Sequence, residues 1–361
     1  MRIFALKFVK KSFMRKIFNL FLFFSILTAP CDAQDFLWQA GVRSFFNNTE
    51  FSKSAVKTDQ TMTGVHFAPL IGLGYQENHR IFVGINAVHE FGSQTPVEYR
   101  FPIACYQFEG EKYLFYMGAF PRKTLIDNYP RMFFQDSISN YRPVINGLFW
   151  EFRSQKDDYF NVWLDWTGRQ SFDVREAFFM GWSGRYNRGM FYGQQFFYMF
   201  HYAGSLNRAI PEPVQDNGLI LTSLGIDLTE KTMFEKLDVN IGWSVGLDRD
   251  RGSADGWITP HGFLSEIRAE YKNIGIFNTL YVGQGQQSLY KQHQNRLYWG
   301  DPTYRVSKYN RADVYVNFVK NPVVSVKLIY SLHFMENKMF HEQSLYATFD
   351  LDNFRFKNSH E

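Results

Sequence analysis

The nine histidines of this 361-residue chain are its best candidates for acid–base chemistry. A hydrolase would need one of them held beside a nucleophile and a carboxylate. The sequence spells out no such arrangement: there is no His-Glu-x-x-His and no carboxylate pair at a telling spacing, and the one Gly-x-Ser-x-Gly, Gly242 to Gly246, sits inside a run of strand alternation rather than at a strand-to-helix turn. His66, His201 and His333 fall on or near segments that read as strands, where each serves better as a wall or interface residue. No metal-ligand cluster, phosphate-cradling glycine loop or internal repeat appears. No catalytic, cofactor-binding or metal residue is therefore assigned, and no cofactor is expected. The chain reads as a non-enzyme, with a membrane-embedded lipid hydrolase kept as an alternative.

What remains is charge in particular places. Asp238, Asp248, Glu266, Arg268, Glu270, Asp313, Lys327 and His333 occupy alternate positions opposite to the apolar ones in their segments. Such residues can solvate a wall and pair with one another, or set up a transverse field that orients polar solutes. A long connection, 121–144, sets Arg122, Lys123, Arg131 and Arg142 against Asp127 and Asp136. Another, 284–310 with Arg311, carries Lys291, Arg296, Arg305, Lys308 and Arg311 against one acid, Asp301, interleaved with Tyr290, Tyr298, Trp299, Tyr304 and Tyr309. Lys291, Arg296, Tyr298, Trp299, Arg305 and Arg311 have the chemistry to stack a sugar face and pair a phosphate. They could equally clamp lipid head groups or pack the loop.

The elements that must carry these residues come next. Residues 1–33 read as a cleaved secretory leader. A basic region (Arg2, Lys7, Lys10, Lys11, Arg15, Lys16) precedes an apolar run, Ile17 to Thr28, and small residues lead to a cut after Ala33. A membrane anchor would need a longer run, and a lipoprotein cut at Cys31 is disfavoured by Pro30. Without the leader the chain holds 33 Lys/Arg and 34 Asp/Glu, so its basic character belongs to the leader and does not point to nucleic acid. Cys105 is then alone, which excludes an intramolecular disulfide.

From Phe36 onward, 34–361 reads as one domain of period-two alternation. Leu237 to Asp248 is the clearest case: Leu, Val, Ile, Trp, Val and Leu point one way, and Asp, Asn, Gly, Ser, Gly and Asp the other. Val324 to Phe334, Phe263 to Tyr271, Ile220 to Leu228 and Ile81 to Ala87 repeat it. No sustained helical stripe competes, so the class is all-β. Sixteen strands are expected, within a range of 14 to 18, at about 20 residues per strand and connection. Tight turns near 75–78, 109–111, 155–158, 187–189, 230–234, 272–273 and 320–322 alternate with connections that are often long, notably 49–59, 121–144, 203–216, 249–260 and 284–310. Short turns at one end and long loops at the other characterise transmembrane barrels of the outer membrane.

Composition agrees. Aromatics make up 19% of the chain, with 39 Phe, 21 Tyr and 8 Trp. A soluble sandwich or jelly roll with apolar residues on both faces of its strands would expose too much of them to water. In lipid that surface is satisfied, and closing the sheet removes the unpaired edges that hydrocarbon would not tolerate. A mean hydropathy of -0.31 excludes a helical multi-span protein.

With Gly64 to Gly74, Asn78-His79-Arg80, His89 to Ser93, Gly118 to Arg122 and Leu164 to Gln170, the chain resembles porin-like Gram-negative outer-membrane β-barrels of the Bacteroidota type. The resemblance implies an antiparallel up-and-down barrel in the outer membrane but names no activity; the favoured reading of such a barrel is a channel passing small polar solutes passively. Its partners would be the bilayer, lipopolysaccharide, the barrel-assembly machinery and those solutes; no nucleic acid is expected, and a homo-oligomer is allowed. A non-conducting surface barrel that binds a partner through its loops is a further alternative. In porins, the loop at the rank of 121–144 often folds inward, which would make Arg122, Lys123, Asp127, Arg131, Asp136 and Arg142 a constriction; a cap outside the mouth is the other option. One departure is the C-terminus: barrels usually end on an aromatic, whereas this chain continues past Phe356 to Glu361, so either Phe354 or Phe356 serves internally or the assembly signal is unusual.

Overall fold

A computed structural model describes residues 34–354, apart from 124, 155–157, 208 and 210–211. The expected leader and Phe356 lie outside the described residues. The first eight strands are β1 Gln34–Glu50, β2 Gln60–Tyr75, β3 His79–Glu90, β4 Tyr99–Glu109, β5 Tyr113–Pro121, β6 Val144–Arg153, β7 Tyr159–Gly168 and β8 Ala177–Arg188. The rest are β9 Phe191–Tyr202, β10 Gln215–Asp227, β11 Lys236–Asp250, β12 His261–Tyr271, β13 Ile274–Gly283, β14 Lys308–Lys320, β15 Val324–Met335 and β16 Lys338–Asp352. Each strand pairs antiparallel with its sequence neighbours, and β1 pairs with β16 from Gln39↔Asp352 to Glu50↔His341, which closes the cylinder.

Alternation becomes an inside and an outside. On β10, Leu224 and Ile226 face out, Leu224 with 69% of its surface uncovered, while Leu221 and Ser223 just before them face in and are buried. Phe36, Ile81, Trp243, Ile274, Phe318 and Phe334 continue the outward belt around the barrel. At about 25 cal/mol per Å², such a belt is tolerable only in hydrocarbon, and the closed ladder leaves no strand edge there to solvate. The barrel spans a membrane.

The interior departs from expectation. Sixteen strands enclose enough space for an aqueous channel, and the sequence shows no separate plug domain. Yet inward-facing Phe120, Ile145, Phe149, Phe179, Tyr281 and His333 are 0% exposed. Loops fill the space they face. Residues 122–143 fold into the barrel, and residues 284–307 lie against them. Tyr129 packs against Phe196 at 5.0 Å and edge-on to Trp163 at 5.9 Å. Phe179 stacks on Phe200 at 4.2 Å and meets Trp299 of the second loop at 4.7 Å. Burial of these rings draws the loops in, because outside the mouth they would sit in water.

Backbone contacts join the two loops: the Gln135 N–H donates to the Trp299 carbonyl at 2.8 Å and the Asp301 N–H to the Arg131 carbonyl at 2.9 Å. Between these bonds the chains cross so closely that a Cβ on Gly300 would lie 2.0 Å from the Met132 carbonyl oxygen. Only glycine fits there. Gly300→Val should therefore pry the loops apart at a cost of about 1–3 kcal/mol while leaving the sheet closed. The expected readout is new protease cleavage within 122–143 and red-shifted tryptophan emission, with the unheated barrel still migrating as a folded species on gels. An unchanged cleavage pattern would show that the crossing does not hold the loops.

Candidate functional site

Below the packed loops, toward the end where the short turns lie, the barrel holds a cavity of about 970 Å³. By the turn rule this end faces the periplasm. Its lining includes nine Lys/Arg and eight Asp/Glu side chains, so the wall is highly charged but nearly neutral overall. Of the eight wall residues singled out from the sequence, Asp238, Glu266, Arg268, Glu270, Asp313 and Lys327 face this vestibule. Asp248 and His333 do not. Asp248 is buried in the packed half, where it accepts from Asn217 Nδ2 at 2.9 Å and from the Ser288 N–H at 2.8 Å. His333 bonds the Tyr309 hydroxyl through Nδ1 at 2.8 Å.

An ion-pair lattice forms the ceiling. Arg311, buried on β14, bonds Asp313 Oδ1 through Nε at 2.6 Å and lies 3.4 Å from Glu342 Oε1 on β16. Arg131, from the first inward loop, bonds Asp136 Oδ2 at 2.9 Å and Asp313 Oδ2 at 3.1 Å. Lys57, from the loop after β1, reaches Asp301 Oδ2 at 3.0 Å, and Glu342 Oε2 is 3.9 Å away. Buried charge is costly unless paired. Here the loops supply one set of charges and the wall supplies the other. The Asp301 carboxyl reports the balance: burial alone would raise its pKa, but Lys57, the Thr303 N–H and Arg311 outweigh that and hold it below the ordinary range.

The six residues of loop 121–144 lie within the barrel or on its inner wall rather than in a cap. Arg122 bonds Asp165 and the Arg142 carbonyl, its guanidinium 5.8 Å from the Trp299 ring. Lys123 reaches Asp350 at 2.6 Å, and Asp127, Arg131 and Asp136 line the vestibule. Arg142 sits over Trp299 at 5.5 Å. The connection between β13 and β14 behaves differently from its sequence reading. Tyr298 and Trp299 are buried, and Arg311 belongs to the wall of β14, which begins three residues earlier than expected. Arg305 lies over Tyr290 at 4.0 Å, while Lys291 and Arg296 are exposed. The six therefore form no common face, because their aromatics are spent on internal packing.

The histidines separate by face. His66 looks inward and bonds Asn86 Oδ1 at 2.8 Å. His201 faces the lipid side near the loop end of β9, where its Nδ1 lies 2.8 Å from Asp216 Oδ1; Arg251 Nε takes the other carboxylate oxygen at 2.8 Å. Sequence reading found His201 but neither partner. Asp216 is its direct cross-strand neighbour, yet twelve residues of connection hide that register. Among the described residues, no group of three or more His, Cys, Asp or Glu side chains is placed to hold a metal ion. Phe354 turns inward onto Phe82 at 5.4 Å.

No curated protein matches the chain in sequence. Solved structures do match in shape. A loop L8 deletion mutant of OmpT, an outer membrane protein of Vibrio cholerae, is similar over 89% of this chain and 100% of its own, with a TM-score of 0.53 at 8% identity. An anion-selective porin from Comamonas acidovorans matches over 88% and 99%, with a TM-score of 0.52 at 7% identity. OprB from Pseudomonas putida matches over 88% and 94%, with a TM-score of 0.51 at 8% identity. At such identities the likeness shows the fold, a sixteen-strand barrel of the Gram-negative outer membrane. The model of one family matches residues 29–361, nearly the whole chain, and by that match the chain belongs to the Lipid A 3'-O-deacylase-type family.

Proposed function

We propose that this barrel is an outer-membrane channel for small polar solutes whose outer half is closed at rest by its own loops. The observation that carries the reading is the charged vestibule of about 970 Å³ beneath a ceiling held by ion pairs. A wall built only to fill space would be apolar; this one presents charge to water. Passage then depends on displacing the loops, so conduction differs from free diffusion through an open pore. Lipopolysaccharide around the belt and the assembly machinery remain the expected partners, and the Bacteroidota-type phrases the expected lineage.

A second reading follows from the family and from His201. A carboxylate-oriented imidazole facing the outer leaflet has the form of a general base, and the family is described as lipid A 3'-O-deacylase-type. No hydroxyl nucleophile is recorded in hydrogen-bond contact with His201 among the described residues, so the channel reading is preferred. Mass spectrometry of lipid A from cells with and without the protein separates the two. The channel reading expects identical acylation. Loss of one acyl chain, restored by His201→Gln, would establish the hydrolase instead.

Conductance tests the channel directly. In planar bilayers the intact protein should give small or rare openings, and replacing 125–140 by a short glycine–serine linker should raise conductance at least severalfold. Silence from both proteins would contradict the proposal.

Acid should act in the same direction. Asp301 has a folded pKa below its unfolded one, so its contribution to the ceiling is complete above the unfolded value of about 3.9 and is lost as pH falls through the folded value. Openings should therefore become more frequent below about pH 4. Asp301→Asn should remove most of that dependence and raise the open fraction at neutral pH.

A further inference from the structure

Most cations lining the vestibule are already engaged. Arg43 donates to Ser139 and Asn140, Arg122 to Asp165, and Lys123 to Asp350. Arg131 is shared between Asp136 and Asp313, Arg185 and Lys236 meet at Asp227, and Lys320 bonds Glu270. Two are left over. Neither Arg268 on β12 nor Lys327 on β15 has a carboxylate within 4.0 Å among the described residues.

Each rests instead on an aromatic face. The Arg268 guanidinium lies 4.7 Å from the centre of Phe277, its cross-strand partner on β13, and the Lys327 ammonium lies 3.9 Å from the centre of Tyr315 on β14. The Tyr315 ring lies across Gly275, where a Cβ would come within 2.2 Å of it, and its hydroxyl donates to Glu270 at 2.9 Å. That hydroxyl and Lys320 occupy Glu270, while Arg311 and Arg131 occupy Asp313. Glu270 and Asp313 are thus turned toward other partners, while Glu266, which accepts from Asn240 Nδ2 at 3.3 Å, acts on Arg268 from beyond 4.0 Å. Arg268 and Arg131 act on Lys327 as like charges, against Glu270 and Asp313 as opposite ones at longer range. Neighbouring cations with no carboxylate in direct contact, beside a water-filled cavity, can attract an anion.

We propose that Arg268 and Lys327 form an anion-binding subsite for a small dianion, a dicarboxylate or a phosphate group, whose charged oxygens bridge the two side chains while Phe277 and Tyr315 hold those side chains in place. Charge-assisted bonds to the guanidinium supply orientation, and the ammonium supplies a second point of charge. This site deepens the reading of the vestibule as a solute compartment and rests on it.

Calorimetric titration of the full-length folded barrel in detergent tests it, with succinate and inorganic phosphate as probes and the neutral isostere succinamide as control. Succinate and phosphate should bind, more weakly as salt is raised, and succinamide should not. The double variant Arg268→Gln, Lys327→Gln should weaken succinate binding by at least about tenfold, a loss of about 1.4 kcal/mol. Lys308→Gln, remote at the loop end of β14, should leave it unchanged. No heat from either anion, equal binding of succinamide, or full binding by the double variant would overturn the site. Failure here is distinguishable from failure of the channel. A conducting barrel that ignores succinate loses the subsite alone, and a silent barrel that binds succinate loses conduction alone.

Discussion

The structure depends on one burial problem solved inside the cylinder. The connection after β5 carries Tyr129, Phe133 and Phe134, and the connection after β13 carries Tyr298, Trp299 and Tyr304. Left in water these rings would form a large apolar patch at the barrel mouth. The inward wall of β5 to β9 offers Phe120, Phe149, Trp163, Phe179, Tyr198 and Phe200 as partners, and the loops bury themselves against it. Aromatic packing of this kind is worth more than its area alone. Everything else about the interior follows: which half is dry, which half is wet, and which charges must be paired.

The ion pairs then fix how the loops sit. Hydrophobic burial is non-directional, so it draws the loops in without choosing a register. Arg131 between Asp136 and Asp313, and Lys57 on Asp301, are directional, and each would be costly to leave unmatched in so enclosed a place. The barrel is thus rigid where its ladder is continuous and switchable where the loops meet the wall. Such a division suits a channel with a closed resting state. It also leaves Arg268 and Lys327, which have no carboxylate in direct contact, on the wet side, where a solute can reach them.

Much of the fold was legible because a barrel strand is constrained by two environments at once. Lipid outside and the lumen inside impose period two on every strand, so Leu237 to Asp248 could be read with the correct face inward. Counting alternating segments gave sixteen strands, and turn lengths told the two ends apart, even though the last hairpin, at Glu336 and Asn337, is short where long connections prevail. The interior was less legible for the converse reason. Loop residues have no periodic constraint, and Tyr129 finds Trp163 and Phe196 only through contacts dozens of residues distant in sequence. Trp299 and Tyr298 look like a solute platform when read as a string, yet their partners are the wall and the neighbouring loop. Arg311 was read with the loop because nothing local marks β14 as starting at Lys308. The His201–Asp216–Arg251 group was hidden likewise, since its register is set across two connections.

The central claim is that the outer half of the lumen is packed protein rather than water. Amide hydrogen exchange at Gln135 and Asp301, whose N–H groups donate across the loop crossing, tests it most directly. Protection comparable to that of the barrel strands, lasting hours or longer, is the expected result. Exchange within seconds at both amides, with the strands still protected, would show solvated loops over an open lumen and contradict it.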